Sequence, residues 1–155
     1  MIAIAIDYLR YILFSRHKYG HGIHSPFVYD YIRNVLVDKR KYEDYKLYKD
    51  VYNEIASSFD IVIVDNNEAG AVIRSPKRKL SKIIKNESTP AKYSFLIYRT
   101  AKYFGIGNIL ELGTSLGLNT LLLSKTCSNL YSFEISTELA NYAKNLLSKN
   151  NIAIK

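Results

Sequence analysis

Two carboxylates flank a glycine-containing turn in the C-terminal third of the chain. Gly113 permits a tight turn, and Gly117 lets the backbone approach closely. The N–H groups that follow the turn can bind an anionic group. Glu134 comes 21 residues after Gly113, near the ~20-residue spacing at which an acidic side chain binds ribose hydroxyls. Together with Glu111 just before the turn, these residues predict a site for a nucleoside that carries an anionic group.

The same turn partly matches two other motifs. A dinucleotide fingerprint, G-x-G-x-x-G, needs a second glycine where this chain has Ser115, so a pyrophosphate would fit poorly. The G-x-S-x-G nucleophile elbow of α/β-hydrolases matches literally, but it needs an acid and then a histidine downstream. All histidines of the chain lie upstream of the turn: His17, His21 and His24. A turn without a ligand is the third alternative, and carboxylates at two adjacent strand ends favour ligand binding over it.

The residues around the turn resemble the first motif of class I S-adenosylmethionine-dependent methyltransferases. That motif reads hydrophobic-hydrophobic-Glu-hydrophobic-Gly-x-x-x-Gly, and here it is Ile109-Leu110-Glu111-Leu112-Gly113-Thr114-Ser115-Leu116-Gly117. The Glu-Leu-Gly-Thr-Ser run, with Thr120 following, is most similar to the branch of small-molecule O-methyltransferases. The resemblance implies S-adenosyl-L-methionine as the cofactor and a small molecule as the methyl acceptor.

The resemblance also implies roles for individual residues. Gly113, Ser115 and Gly117 would line the methionine part of the cofactor. Glu134 would hold the ribose, and Glu111 would orient the loop or the cofactor's ammonium group. The full set of implied cofactor-binding residues is Ser81, Glu111, Gly113, Thr114, Ser115, Gly117, Asn119, Thr120, Glu134 and Ile135.

The resemblance identifies neither a catalytic base nor a metal ligand. His21 and His24 are candidates for the base, although a role in capping or loop packing is the favoured interpretation for both. A metal site formed by the three histidines is not expected, because Gly20 and Gly22 break the helix that would align them.

Two upstream segments resemble a bacterial subgroup of these enzymes. They are the run KYGHGIHSPF from Lys18 to Phe27 and the run RKLSKI from Arg78 to Ile83. In such enzymes N-terminal helices cover the cofactor and help to shape the acceptor site. The resemblance therefore implies that Ser81 and its neighbours approach the cofactor.

Alternating strands and helices must position the turn. Hydrophobic patterning predicts strands at 108–112 and 130–134 and helices at 118–125 and 137–149. This β-α-β-α order implies parallel strands with helical crossovers, hence a Rossmann-like sheet. Residues 152–154 are typical of the start of a third strand. The predicted fold class is therefore α/β, an N-terminal helical region followed by the first part of a Rossmann-like parallel sheet.

Helices are predicted for most of the preceding residues. An apolar stripe from Ile2 to Leu13 is typical of an amphipathic helix. Helix starts are indicated by three pairs in which proline follows a capping residue: Ser25-Pro26, Ser75-Pro76 and Thr89-Pro90. Further helices are predicted over 26–37, 45–59, 76–86 and 90–104, the last ended by Gly105, with a short strand at 61–64.

The elements suggest three parts. They are an N-terminal helical region (1–60), a basic linker with helices that cover the cofactor site (61–107) and a partial Rossmann-like domain that binds S-adenosylmethionine (108–155). The remaining strands and the adenine-binding acid of a class I domain do not follow before Lys155. We therefore expect a truncated chain that is inactive alone, with an exposed sheet edge that favours a homodimer.

The net charge of +8 is concentrated in the middle of the chain. Residues 61–107 hold 9 basic and 3 acidic side chains, and most of the excess lies in 74–85. A basic helix there can bind RNA phosphates, but a solvated helix face is the favoured interpretation. The single cysteine, Cys127, fits a reducing cytoplasm, and no run reaches the ~18 apolar residues of a membrane span.

A methyltransferase with a small-molecule acceptor is thus the predicted function. The rivals are a non-catalytic binding module and an RNA or protein methyltransferase that uses the basic helix 74–85. Further β-α units after Lys155 would favour the enzyme, and a natural stop would favour the module.

Overall fold

The computed structural model describes residues 2–14, 24–64 and 76–152. These residues form a mixed α/β structure with seven α-helices and two small sheets, one of them parallel. The helices are α1 (Ile2–Phe14), α2 (Pro26–Tyr31), α3 (Asp44–Ser57), α4 (Leu80–Asn86), α5 (Ala91–Phe104), α6 (Leu118–Leu123) and α7 (Thr137–Lys149). The strands are β1 (Ile61–Ile63), β2 (Lys77–Lys79), β3 (Asn108–Leu112) and β4 (Asn129–Phe133). None of the described helices combines the length and the apolar character needed to cross a membrane.

The chain divides into two compact units, residues 1–40 and 41–155. The first contains α1 and α2, both of which the sequence predicts. The side chain of Ser25 caps α2 by accepting a hydrogen bond from the N–H of Val28 at 3.4 Å, and Pro26 occupies the first helical turn. A π-helical turn, Ile32–Leu36, continues α2. The helical segment therefore ends within one residue of the predicted position.

The second unit contains the parallel pair β3 and β4. Asn108 pairs with Asn129, and the register continues to Leu112 and Phe133. Because α6 connects the two strands and α7 follows β4, the predicted β-α-β-α order is confirmed. β3 and α7 have the predicted bounds, whereas α6 and β4 differ from the prediction by one or two residues. Most of the predicted third strand, residues 153–154, lies outside the described residues.

Local capping residues set the ends of the helices around this sheet. Gly105 has a φ of 60° and ends α5, as predicted, because glycine adopts this left-handed conformation without steric cost. The side chain of Ser136 begins α7 by accepting a hydrogen bond from the N–H of Leu139 at 3.3 Å. Since β4 ends only three residues earlier, this cap also fixes the path of the chain that contains Glu134.

The core of the second unit lies among its helices and on one face of the parallel sheet. Helices α3, α5 and α6 pack together. Tyr48, Tyr98, Leu121 and Leu147 are almost completely buried there. The hydroxyl of Tyr98 donates a hydrogen bond to the carboxylate of Asp44 at 2.5 Å. The hydroxyl of Tyr98 therefore has a hydrogen-bond partner although the ring is buried.

The other face of the parallel sheet is apolar and exposed. Side chains alternate along a strand, so Ile109 and Glu111 point to the helices while Leu110 points away from them. Leu112 is 78% exposed and Phe133 is 58% exposed. The exposed face consists of Leu110, Leu112, Tyr131 and Phe133, with Ile135 just beyond β4. Apolar strands of this kind are typical of parallel sheets that are covered on both faces.

The basic segment that was expected to be helical begins as a strand. β2 pairs antiparallel with β1, and α4 starts only after β2. The predicted basic helix 74–85 is therefore wrong over Lys77–Lys79. Pairing with the β-branched residues of β1 outweighs the local helix signal of Ser75-Pro76, because strand formation depends on tertiary context. Residues 74 and 75 themselves lie outside the described residues.

Candidate nucleoside-binding site

The turn between β3 and α6 has a backbone conformation that few residue types adopt. Gly113, Ser115 and Gly117 have φ angles of 89°, 50° and 80°. Positive φ is uncommon for residues other than glycine. Gly113 and Gly117 therefore suit their positions, and Ser115 is the exception. The N–H groups of Gly113 and Thr114 both donate to the carbonyl oxygen of Phe133, at 2.8 and 3.2 Å. The turn is therefore tied to the carboxyl end of the neighbouring strand, β4.

The two glycines of the turn are needed for different reasons. A Cβ atom on Gly117 would lie 3.0 Å from the Cβ of Ala143 in α7, so this glycine allows the turn to pack closely on a helix. Among the described residues, no atom lies within 4 Å of the corresponding position on Gly113. The space beside Gly113 is thus open to a ligand, whereas the close approach at Gly117 is to the chain itself.

Glu111, near the end of β3, is held by a chain of hydroxyl groups. Thr120 Oγ1 and Ser132 Oγ donate hydrogen bonds to its Oε2 at 2.5 and 2.6 Å. Since the Ser132 proton is used in this bond, Thr114 Oγ1 is the donor to Ser132 Oγ, at 2.5 Å. Burial raises the pKa of the Glu111 carboxyl, and the two hydrogen bonds offset part of that rise. One carboxylate thereby joins the turn, α6 and β4.

Replacing Glu111 with glutamine is expected to remove a pH dependence of stability. Because the pKa of this carboxyl is higher in the folded chain than in the unfolded chain, the folded state keeps the proton to higher pH. The free energy of unfolding of the wild-type chain should therefore fall as pH rises from the unfolded pKa through the folded pKa. Glu111→Gln should lack this fall.

Urea unfolding followed by circular dichroism at a series of pH values measures this difference. Glu54→Gln removes a charge from an exposed carboxylate and serves as the control for net charge. Identical pH profiles for the wild-type chain and Glu111→Gln would contradict the prediction.

The carboxylate of Glu134 lies beside the turn, just beyond the end of β4. Its Oε2 accepts a hydrogen bond from the N–H of Ser115 at 2.7 Å, and its Oε1 accepts one from the N–H of Ser136 at 3.0 Å. Each carboxylate oxygen can accept more than one hydrogen bond. Both oxygens therefore remain able to accept a hydrogen bond from a ligand hydroxyl.

The other predicted site residues lie in several environments. Thr114 and Thr120 are buried and belong to the hydroxyl chain at Glu111. Asn119 lines a small cavity beside the turn. Ile135 is 71% exposed and extends the apolar sheet face. Ser81 lies in the first turn of α4, and no hydrogen bond among the described residues joins it to the turn.

The small cavity beside the turn has a volume of about 60 Å³. One wall is formed by the turn and the start of α6. The other wall consists of residues that the sequence analysis does not identify: Tyr48, Glu87, Ser88 and Thr89. They belong to α3 and to the segment before α5, and only the packing of these elements brings them to the turn.

The sequence pattern also does not identify two serines of the site. Ser132 stands directly opposite Glu111 in the parallel register, and Ser136 donates its N–H to Glu134. Serine is common in turns and at helix starts, so neither residue stands out by type. The spacing of 21 residues between Ser132 and Glu111 is a signal of their proximity once the parallel pairing is known.

The histidines do not form part of the described site. His17 and His21 lie outside the described residues, as does most of the upstream run from Lys18 to Phe27. His24 is exposed in the first unit. Within the described parts of the chain, no group of three or more His, Cys, Asp or Glu side chains is placed to hold a metal ion.

Comparison of the chain with protein-family models, with curated proteins and with solved structures found no match. We therefore infer a function from the chemistry of the site. Its main features are the carboxylate of Glu134 and the open space beside Gly113. Both lie at the carboxyl ends of two adjacent parallel strands, where ligands of open α/β sheets bind.

Proposed function

We propose that this chain binds S-adenosyl-L-methionine at the turn between β3 and α6 and acts in methyl transfer to a small molecule. The observation that carries the proposal is the position of Glu134, whose carboxylate contacts the N–H of Ser115 from the end of the next parallel strand. An acid at this place can bind both hydroxyls of a ribose. Ser115, in place of the second glycine of a dinucleotide fingerprint, favours a nucleoside without a pyrophosphate.

The space around the turn fits one end of such a cofactor. A ligand can lie against the backbone of Gly113, where a Cβ would meet no described atom within 4 Å. The adjoining cavity of about 60 Å³ equals roughly two water molecules in volume. It therefore takes only one end of the amino acid head group, its carboxylate or its ammonium group, for which Asn119 supplies a polar side chain. The ribose lies outside this cavity, near Glu134.

The bound cofactor supplies a methyl group on a positively charged sulfur. Glu134 would hold the ribose of this cofactor and the backbone of Gly113 would lie against its amino acid, while the methyl group would pass to an acceptor oxygen whose proton would go to a base or to solvent. The chain contributes by holding the reacting groups in line. The hydroxyl chain at Glu111 serves this purpose, because it ties the turn to both α6 and β4.

Calorimetric titration of S-adenosylhomocysteine into the full chain tests the proposal. Glu134→Gln preserves the size of the side chain but removes its charge and one accepting oxygen. Binding is expected to weaken about tenfold to hundredfold, or ~1.5–3 kcal/mol, the usual value of hydrogen bonds to a charged group. Glu54→Gln removes the same charge from an exposed carboxylate that pairs with Lys149 and is expected to leave the affinity unchanged.

Two results would overturn the proposal. One is the absence of S-adenosylhomocysteine binding by the folded wild-type chain, and the other is equal binding by Glu134→Gln and wild type. Because Glu134 also accepts hydrogen bonds from Ser115 and Ser136, circular dichroism is used to verify that the variant is folded. NADH, titrated in parallel, is expected not to bind, since the turn lacks the second glycine of the dinucleotide motif.

A further inference from the structure

A cleft of about 500 Å³ adjoins the cavity beside the turn. The cleft and the cavity share Tyr48, Ser88 and Thr89 as lining residues. One side of the cleft is formed by α3, and the other by the end of α4 and the segment that leads into α5. Its volume falls within the ~300–1,000 Å³ that is usual for small-molecule sites. A molecule in the cleft would therefore lie next to the cavity that takes the amino acid end of the cofactor.

Two lysines make this cleft electropositive. Lys49 comes from α3, and Lys85 comes from the last turn of α4. Neither forms an ion pair with a carboxylate of the described residues, and Lys49 Nζ lies 6.0 Å from the ring centroid of Phe95. Lys46, one turn earlier in α3, is by contrast paired with Asp50 at 2.8 Å. Because the described lining residues include no acid, the cleft attracts an anion.

The remaining walls of the cleft combine aromatic and hydroxyl groups. Tyr52 is half-buried, and Tyr48 is almost completely buried with its hydroxyl 3.3 Å from Ser94 Oγ. Aromatic side chains of this kind favour a flat, ring-bearing ligand. Ser88 and Thr89 lie at the end shared with the cavity, and their hydroxyls can exchange hydrogen bonds with a ligand hydroxyl.

From these features we infer that the cleft binds the methyl acceptor and that the acceptor is a small aromatic carboxylate with a ring hydroxyl. The inference rests on the proposed function. The carboxylate lies near Lys49 and Lys85, and the hydroxyl lies near Ser88 and Thr89, next to the transferred methyl group. The hydroxyl oxygen bonds to the methyl carbon, its proton passes to solvent, and the carbon–sulfur electron pair stays on the sulfur of S-adenosylhomocysteine.

Binding of para-hydroxybenzoate and of its neutral amide, para-hydroxybenzamide, to the full chain tests this inference. Both compounds are titrated in the presence of S-adenosylhomocysteine and followed by ligand-observed NMR. The acid is expected to bind about threefold to tenfold more tightly than the amide, the effect of ion pairs with two exposed lysines. In the double variant Lys49→Gln, Lys85→Gln this preference is expected to disappear. In Lys46→Gln it is expected to remain.

Three results would overturn the inference: equal affinity for the acid and the amide, no binding of either, or a preference that survives the double variant.

The affinity for S-adenosylhomocysteine, measured in the same samples, separates failure of the inference from failure of the proposed function. If S-adenosylhomocysteine binds and the acid does not, only the inference fails. If S-adenosylhomocysteine does not bind, the proposed function fails and the inference fails with it. The double variant should bind S-adenosylhomocysteine normally, since neither lysine is among the described residues that line the cavity.

Discussion

A Gly117→Ala variant is expected to lose about 2–5 kcal/mol of its free energy of unfolding. A residue with a Cβ at the observed φ of 80° pays about 1–2 kcal/mol in backbone strain. The new Cβ also meets the Cβ of Ala143 at 3.0 Å, and crowding of this kind in a packed region costs about 1–3 kcal/mol. If the turn moves away from α7, the hydrogen bond from Ser115 to Glu134 is lost, so binding of S-adenosylhomocysteine should fall as well.

Two other glycine variants separate the clash from the strain in urea unfolding measurements. Gly107 has neither a positive φ nor a described atom within 4 Å of its Cβ position, so Gly107→Ala should change stability by less than about 1 kcal/mol. Gly113→Ala should cost about 1–2 kcal/mol, because its φ of 89° is strained but its surroundings are open. Its methyl group would still occupy the space proposed for the ligand. Equal stability of Gly117→Ala and Gly107→Ala would show that the turn does not pack on α7 as described.

A Leu121→Ala variant is expected to lose about 2–5 kcal/mol of its free energy of unfolding. Leu121 has no exposed surface and belongs to the main hydrophobic core. It lies in α6, which packs against α3 and α5, so truncation leaves a cavity among three helices. Because α6 begins directly after Gly117, loss of this packing should also loosen the turn. Urea unfolding and the S-adenosylhomocysteine titration measure the two effects.

Leu112→Ala is the matched control for this substitution. Leu112 is 78% exposed on the open sheet face, so its truncation should change the free energy of unfolding by less than about 0.5 kcal/mol. A cost as large as that of Leu121→Ala would refute the exposure of this face in solution. Light scattering would then distinguish a homodimer, which the sequence predicts, from a monomer.

The elements that could be predicted from the sequence are those with local signals. β3 and α7 have the predicted bounds, because a short apolar run that ends at a glycine turn and an apolar period of a helix are properties of the segments themselves. Gly105 ends α5 as predicted for the same reason. The strand Lys77–Lys79 could not be predicted, since it forms by pairing with β1 across a stretch of intervening chain.

The candidate site was predictable in outline from spacing. Glu134 does lie beside the turn that contains Gly113, because the register of β3 and β4 brings their carboxyl ends together. The binding of a nucleoside there remains a prediction. The hydroxyl chain from Thr114 through Ser132 could not be predicted, since which hydroxyls face Glu111 depends on that same register.

The sequence by itself determined the order of the β-α-β-α elements and the residue types at the turn, because hydrophobic period, glycine and capping residues act within a few positions along the chain. Only the tertiary structure decided that Gly117 packs on Ala143, that Glu111 is held by Thr120 and Ser132, and that a lysine-lined cleft adjoins the turn. These features arise from the packing of elements that are distant in the chain. No local pattern encodes which of their side chains meet.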